Sequence, residues 1–104
     1  MALTQLNLGS ELGLEILHQR WYALILYQLD PVPTDFMDLR VTVRGISTFN
    51  LLLRLNHLKE WGLIETLPED DYSYRLTKTG EMFHQILREL EDWGNDTLEN
   101  NLAI

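Results

Sequence analysis

The side chains able to do acid–base, nucleophilic or metal chemistry are few in this chain, and their spacing does not suit it. His18, His57 and His84 lie far apart, without an i, i+4 histidine pair or a carboxylate–histidine motif that would present two ligands on one helix face. There is no cysteine, so no thiolate nucleophile, disulfide framework or Cys-based zinc site. Glu89, Glu91 and Asp92 are close in sequence, but helical neighbours point in different directions, whereas paired acid–base chemistry needs a shared pocket. No glycine-rich phosphate loop occurs, and the serines lack a triad pattern. The expectation is a protein that is not an enzyme and uses no cofactor or metal. What remains is recognition chemistry: Arg40, Arg44 and Arg75 can meet phosphates, and Ser47, Thr48 and Asn56 can hydrogen-bond to base edges.

The charge balance works against that chemistry on the scale of the whole chain. Eight Lys and Arg against 16 Asp and Glu give a net charge of -8 and an isoelectric point near 4.6, whereas phosphate neutralisation supplies most non-specific affinity for nucleic acid. The acid is unevenly placed. Residues 21–62 hold Arg40, Arg44, Arg54 and Lys59 against Asp30, Asp35, Asp38 and Glu60, so this segment is neutral and the excess acid lies in residues 63–104.

The elements that must position these side chains follow from pattern. With 104 residues, 45% of them hydrophobic, the chain fits one domain with one core. No run of 18 apolar residues occurs, and MALTQLNLGSELG lacks the features of a secretion signal, so a cytoplasmic protein without membrane contact is expected. The Asn95-Asp96-Thr97 sequon is then a coincidence. Residues 1–9 read as a loose arm, and Ser10 as the cap of a helical stretch containing Leu12, Ile16 and Leu17. Arg20–Leu29 is apolar on nearly every side and reads as a helix buried all round. Asp30-Pro31-Val32-Pro33 stops it. A second helix starts at Thr34, with Asp35 and Asp38 in its first turn and Phe36 and Leu39 inward, and Arg44-Gly45 ends it. Ser47 caps a third helix running to Trp61, with Leu51, Leu55 and Leu58 inward, and Gly62 ends that one. Leu63–Leu67 and Tyr72–Leu76 form a hairpin with an acidic tip at Glu69-Asp70-Asp71. Thr77 caps a last helix striped by Met82, Phe83, Ile86, Leu87, Leu90 and Trp93, which Gly94 terminates, leaving residues 95–104 as a frayed polar tail around an ordered core of 10–94.

Helix, helix, short turn, helix, hairpin, helix is the order of a winged helix-turn-helix. The expected fold is therefore mainly α (α+β): a three-helix bundle with a β-hairpin wing and a C-terminal dimerisation helix. Four stretches resemble the HxlR-type regulators, a bacterial and archaeal branch of winged helix transcription factors. Arg20-Trp21 followed by LILYQL is similar to that family's Lys-Trp and aliphatic helix. Phe36-Met37-Asp38-Leu39-Arg40 resembles its Phe-x-Glu-Leu-Arg segment. ISTFNLLLRLNHLKEWGLIE resembles its turn, recognition helix and first wing strand. Tyr74–Gly80 resembles the second wing strand with the following cap, and Asp92-Trp93-Gly94 the helix end. Members that sense electrophiles use a cysteine near the first helix, and that mode of regulation cannot be transferred to a chain without one.

The resemblance implies a homodimer whose third helices enter successive major grooves of a pseudo-palindromic site in double-stranded DNA. It places Thr48, Phe49, Leu52, Leu53 and Asn56 on the outward face of the third helix. Three of these five are large and apolar, which leaves three readings open: a slightly rotated face with some members in the core, a DNA-reading face that meets thymine methyls, or an apolar surface for a protein partner. The last would make the chain an acidic winged helix interaction module, an antagonist or partner of a DNA-binding protein. Asp38 and Arg54 occupy the positions of the family's acidic residue and arginine, and a pair there would fix two helices at one angle. The two terminal helices carry more apolar positions than one protomer can cover, so Leu17, Trp21, Tyr22, Phe83, Ile86, Leu87, Leu90 and Trp93 are expected at the subunit contact. A small-molecule pocket lined by Trp21, Tyr22, Phe83 and Trp93 is a weaker expectation.

Overall fold

The computed structural model describes residues 7–102, and the greater part of the expected N-terminal arm and the last two residues lie outside them. The elements in order are α1 (Leu8–His18), α2 (Arg20–Gln28), β1 (Thr34–Asp35), α3 (Phe36–Thr42), α4 (Thr48–Glu60), β2 (Ile64–Leu67), β3 (Asp70–Leu76) and α5 (Lys78–Leu102). The strands make one antiparallel sheet in the order β1-β3-β2. This is the winged helix-turn-helix: α2, α3 and α4 form the bundle, and β2 and β3 form the wing.

Local chemistry sets the boundaries. Asn7, rather than Ser10, caps α1: its Oδ1 accepts from the Ser10 backbone N–H at 2.8 Å, which satisfies one of the orphan donors of the first turn. A single extended residue, Gln19, separates α1 from α2. Thr34 does not begin a helix. It pairs with Tyr74 in the sheet, beside the Asp35–Ser73 pair, and Asp35 caps α3 by accepting from Met37 N–H at 2.8 Å. Ser47 caps α4 through a bond from Asn50 N–H at 3.1 Å. Gly45 and Gly62 both adopt positive φ, +87° and +78°, a backbone region costly for any residue with a Cβ.

The core is made where these elements meet. Ile25, Leu26 and Leu29 of the α2 segment pack with Leu39 of α3, Leu51, Leu55 and Leu58 of α4, and Leu63, Ile64 and Leu76 of the wing base, all buried. Thr77 closes the hairpin onto α5. Its hydroxyl donates to Gly62 O at 2.6 Å and accepts from Gly80 N–H at 3.1 Å, while its N–H donates to Leu63 O at 3.1 Å.

Gly94 does not stop α5. The helix continues through it to Leu102, so Asn95–Asn101, read from sequence as a frayed tail, is helical. Glycine in a helix interior costs only about 1 kcal/mol relative to alanine, a weak signal against a continuing helix. Twenty-five residues span roughly 37 Å. The radius of gyration is 15.7 Å, against about 13 Å for a compact chain of this length.

Candidate nucleic-acid interface

Helix α4 is held from beneath and from one side. From beneath, Leu51, Leu55 and Leu58 are fully buried. From the side, Arg54 donates to Gln19 Oε1 at 2.7 Å, and its guanidinium lies 4.8 Å from the centroid of the Tyr22 ring, within cation–π reach. The Tyr22 hydroxyl bonds to His57 Nδ1 at 2.5 Å, and the His57 ring stacks on Trp61 with centroids 5.7 Å apart. Arg54 therefore joins α4 to the α1–α2 junction and not to α3. The expected Asp38–Arg54 pair is absent, because Asp38 is exposed on the outer side of α3 while Arg54 projects toward Gln19. The Nε of Arg54 is buried without a partner among the described residues, and no sequence signal announces this cluster.

The opposite face of α4 is free. Thr48, Phe49, Leu53 and Asn56 are exposed, with Phe49 74% and Leu53 39% accessible. Leu52 is the exception among the expected outward residues: it lies on the flank, half-buried against the core. Ser47 is exposed at the N-cap, and Arg40 and Arg44 are exposed at the end of α3 and in the turn before α4. Phe36–Glu60 carries four cations (Arg40, Arg44, Arg54, Lys59) against two acids (Asp38, Glu60), while the rest of the chain carries four cations against fourteen acids. The helix-turn-helix is thus the positive part of an acidic protein.

The wing offers less to an anion. Arg75 pairs with Glu65 across the hairpin at 2.7 Å, so part of its guanidinium is already engaged. At the tip, Asp70 accepts from Tyr72 N–H at 2.9 Å and from the Ser73 hydroxyl at 2.7 Å. These bonds, the backbone one foremost, hold the Asp70 carboxyl below its ordinary range, so Asp70 stays anionic. Burial pushes the Tyr74 phenol above its ordinary value, with smaller contributions from Tyr72, Asp71 and Asp70.

The residues expected at the subunit contact divide into two groups. Tyr22 and Phe83 belong to the protomer's own core, at 3% and 9% exposure, because each faces the bundle. Leu17, Trp21 and Leu87 are half-buried against that core. Ile86, Leu90 and Trp93 are exposed on α5, together with Met82 and, on α1, Leu12 and Leu14. An apolar groove of about 240 Å³ runs between α1 and α5, lined by Leu12, Ile16, Trp61, Met82, Phe83 and Ile86 among others. Of the four residues expected to line a pocket, Phe83 is among its walls, and Trp21, Tyr22 and Trp93 are not. Among the described residues no cluster of His, Asp and Glu could hold a metal, and no helix is long and apolar enough to cross a membrane.

The chain is 30% identical over 101 residues to the HTH-type transcriptional regulator YkvN of Bacillus subtilis (strain 168), an alignment covering 91% of this chain and 84% of that one. It is 29% identical over 93 residues to the HTH-type regulator YvaP of the same organism, covering 86% of each. Among solved structures it is similar to quinone-bound YodB from B. subtilis, with a TM-score of 0.78, 25% identity, and coverage of 88% of this chain and 99% of that one. These relatives are regulators of transcription, not enzymes. Residues 16–102 match the HxlR-like helix-turn-helix family, and with the winged fold and the presented α4 already in place, this chain belongs to that family of transcriptional regulators.

Proposed function

We propose that the protein is a homodimeric, cytoplasmic DNA-binding regulator that lays α4 of each protomer in successive major grooves of a pseudo-palindromic operator. The observation carrying this reading is the free face of α4, capped by Ser47 and flanked by the exposed Arg40 and Arg44. In that pose Ser47, Thr48, Phe49, Leu53 and Asn56 meet base edges, and Arg40 and Arg44 meet phosphates. Arg75 contributes through whatever part of its guanidinium Glu65 leaves free. Half-sites one helical turn apart, about 34 Å, suit two copies of one helix related by two-fold symmetry. Dimerisation supplies that symmetry. The exposed Ile86, Leu90 and Trp93 of α5, next to the α1–α5 groove, form one apolar surface, and a second copy would cover it.

The test is a binding titration against mixed genomic duplex fragments at low salt, repeated at higher salt. Binding should weaken with a log–log slope of about 0.9 per phosphate neutralised. Absence of binding at low salt would overturn the reading. It would favour the acidic interaction module, for which the net charge of -8 and the apolar residues on α4 are the supporting observations.

A further inference from the structure

The stripe that α4 turns outward is unusual for a helix that reads bases. At the helical repeat, Phe49, Leu53 and Asn56 fall in one sector of about 60° facing away from Leu51, Leu55 and Leu58. Two of the three are hydrocarbon, and Phe49 is 74% exposed, so the protomer itself offers it no cover. The surrounding charge limits what can. Arg54 is turned to Gln19, but the exposed charges of Phe36–Glu60, Arg40, Arg44 and Lys59 against Asp38 and Glu60, still leave a small positive excess in a chain otherwise dominated by acid, so the partner that fits is a polyanion with hydrocarbon on its floor. Duplex DNA meets that description at thymine, whose 5-methyl group is the one apolar feature of the major groove.

We infer that Phe49 and Leu53 read the methyl groups of two thymines in each half-site, so that the operator is A·T-rich under α4. Four residues along a helix advance about 6 Å, close to two base steps of about 3.4 Å each along one strand. The two side chains therefore meet thymines two steps apart. Specificity at these positions comes from burying methyl groups, with hydrogen bonding left to Asn56 in the same sector and to Thr48, exposed in the first turn of α4. This inference rests on the DNA-binding reading above and deepens it.

The test begins with wild-type protein selecting duplexes from a randomised pool. The enriched duplex is then resynthesised with deoxyuridine for thymidine, which removes only the methyl groups. Each contacted methyl should be worth about fourfold in affinity, and two in one half-site roughly fifteenfold. Phe49→Ala and Leu53→Ala remove no core contact of the fully buried kind. Each should bind the thymine duplex more weakly than wild type and lose the penalty for uracil at its own position. Equal binding of the two duplexes by wild type, or unchanged thymine-to-uracil ratios in both variants, would overturn the inference while leaving DNA binding intact, and would return Phe49 and Leu53 to a protein partner. Failure to enrich any duplex, with no salt-dependent binding, would overturn the methyl reading and the regulator reading together.

Discussion

Substituting Gly80 by alanine tests whether the wing and α5 are joined as tightly as the geometry states. A Cβ built on Gly80 falls 1.9 Å from Leu63 O and 3.0 Å from Leu63 C, so either the strand start or the helix must move by about 1.5–2 Å to reach ordinary contact. The carbonyl cannot swing aside freely, because it accepts from Thr77 N–H at 3.1 Å. Over-packing of this kind costs about 1–3 kcal/mol, and losing the Thr77 bond adds about 1 kcal/mol. Alanine's better helix propensity offsets about 1 kcal/mol. The expected net loss is about 2 kcal/mol, or roughly 8–16 °C in Tm for a domain of this size. Gly94→Ala is the internal control: it is also helical, and nothing lies within 4 Å of its added Cβ, so the same change should stabilise by up to about 1 kcal/mol. Urea unfolding of the three proteins at one concentration reads both values. A Gly80→Ala protein as stable as wild type would refute the claim that α5 starts against the backbone of Leu63.

Arg54→Ala and Gln19→Ala should each destabilise and couple by about 0.5–3 kcal/mol in a double-mutant cycle, while Asp38→Ala stays within about 0.5 kcal/mol of wild type; simple additivity of the first two would remove the α1–α4 link. Trp93→Glu should sediment as a monomer at micromolar concentrations where the wild type is expected to be a dimer, since it would place an unpaired charge in the proposed contact; a variant that remains fully dimeric would exclude Trp93 from the interface. For Tyr74 the folded-state pKa lies above the ordinary 10.0, so its stabilisation is complete below about pH 10 and is lost as pH rises through the folded value. Its phenolate absorbance should therefore appear above the ordinary tyrosine range, and ionisation of Tyr74 within that range would contradict the burial assigned to it.

Much of the architecture is written in short-range signals. Asp30-Pro31-Val32-Pro33, Ser47, Gly62 and Thr77 each act within a few residues of themselves, and the structure uses all four where the pattern places them. The leucines inward on α4 follow from spacing alone. What escaped detection depends on partners distant in sequence. Strand β1 exists only because β3 lies beside it. Arg54 meets Gln19, 35 positions away, and its direction depends on where α1 breaks. Tyr22 and Phe83 sit on apolar helices, where periodicity cannot distinguish a side chain facing the protomer's core from one facing a second copy. Gly94 misled because a glycine after an apolar stripe resembles a helix stop, although Trp93 is followed on the same helix by the half-buried Thr97.

The two-residue strand β1 also has a kinetic meaning. Its ladder joins Thr34 to Tyr74 and Asp35 to Ser73, and closing a chain segment of about 40 residues costs roughly 3 kcal/mol in entropy. Two residue pairs, at about 1 kcal/mol for each hydrogen bond, cannot offset that alone. The seam therefore closes only after α3, α4 and the hairpin have docked, as a late event in folding. Substitutions at Thr34 should accordingly quicken unfolding and leave the folding rate almost unchanged. Asp35 both pairs with β3 and caps α3, so opening the seam frees the wing and the first turn of α3 in one step, the smallest cooperative unit by which this part of the domain can come apart.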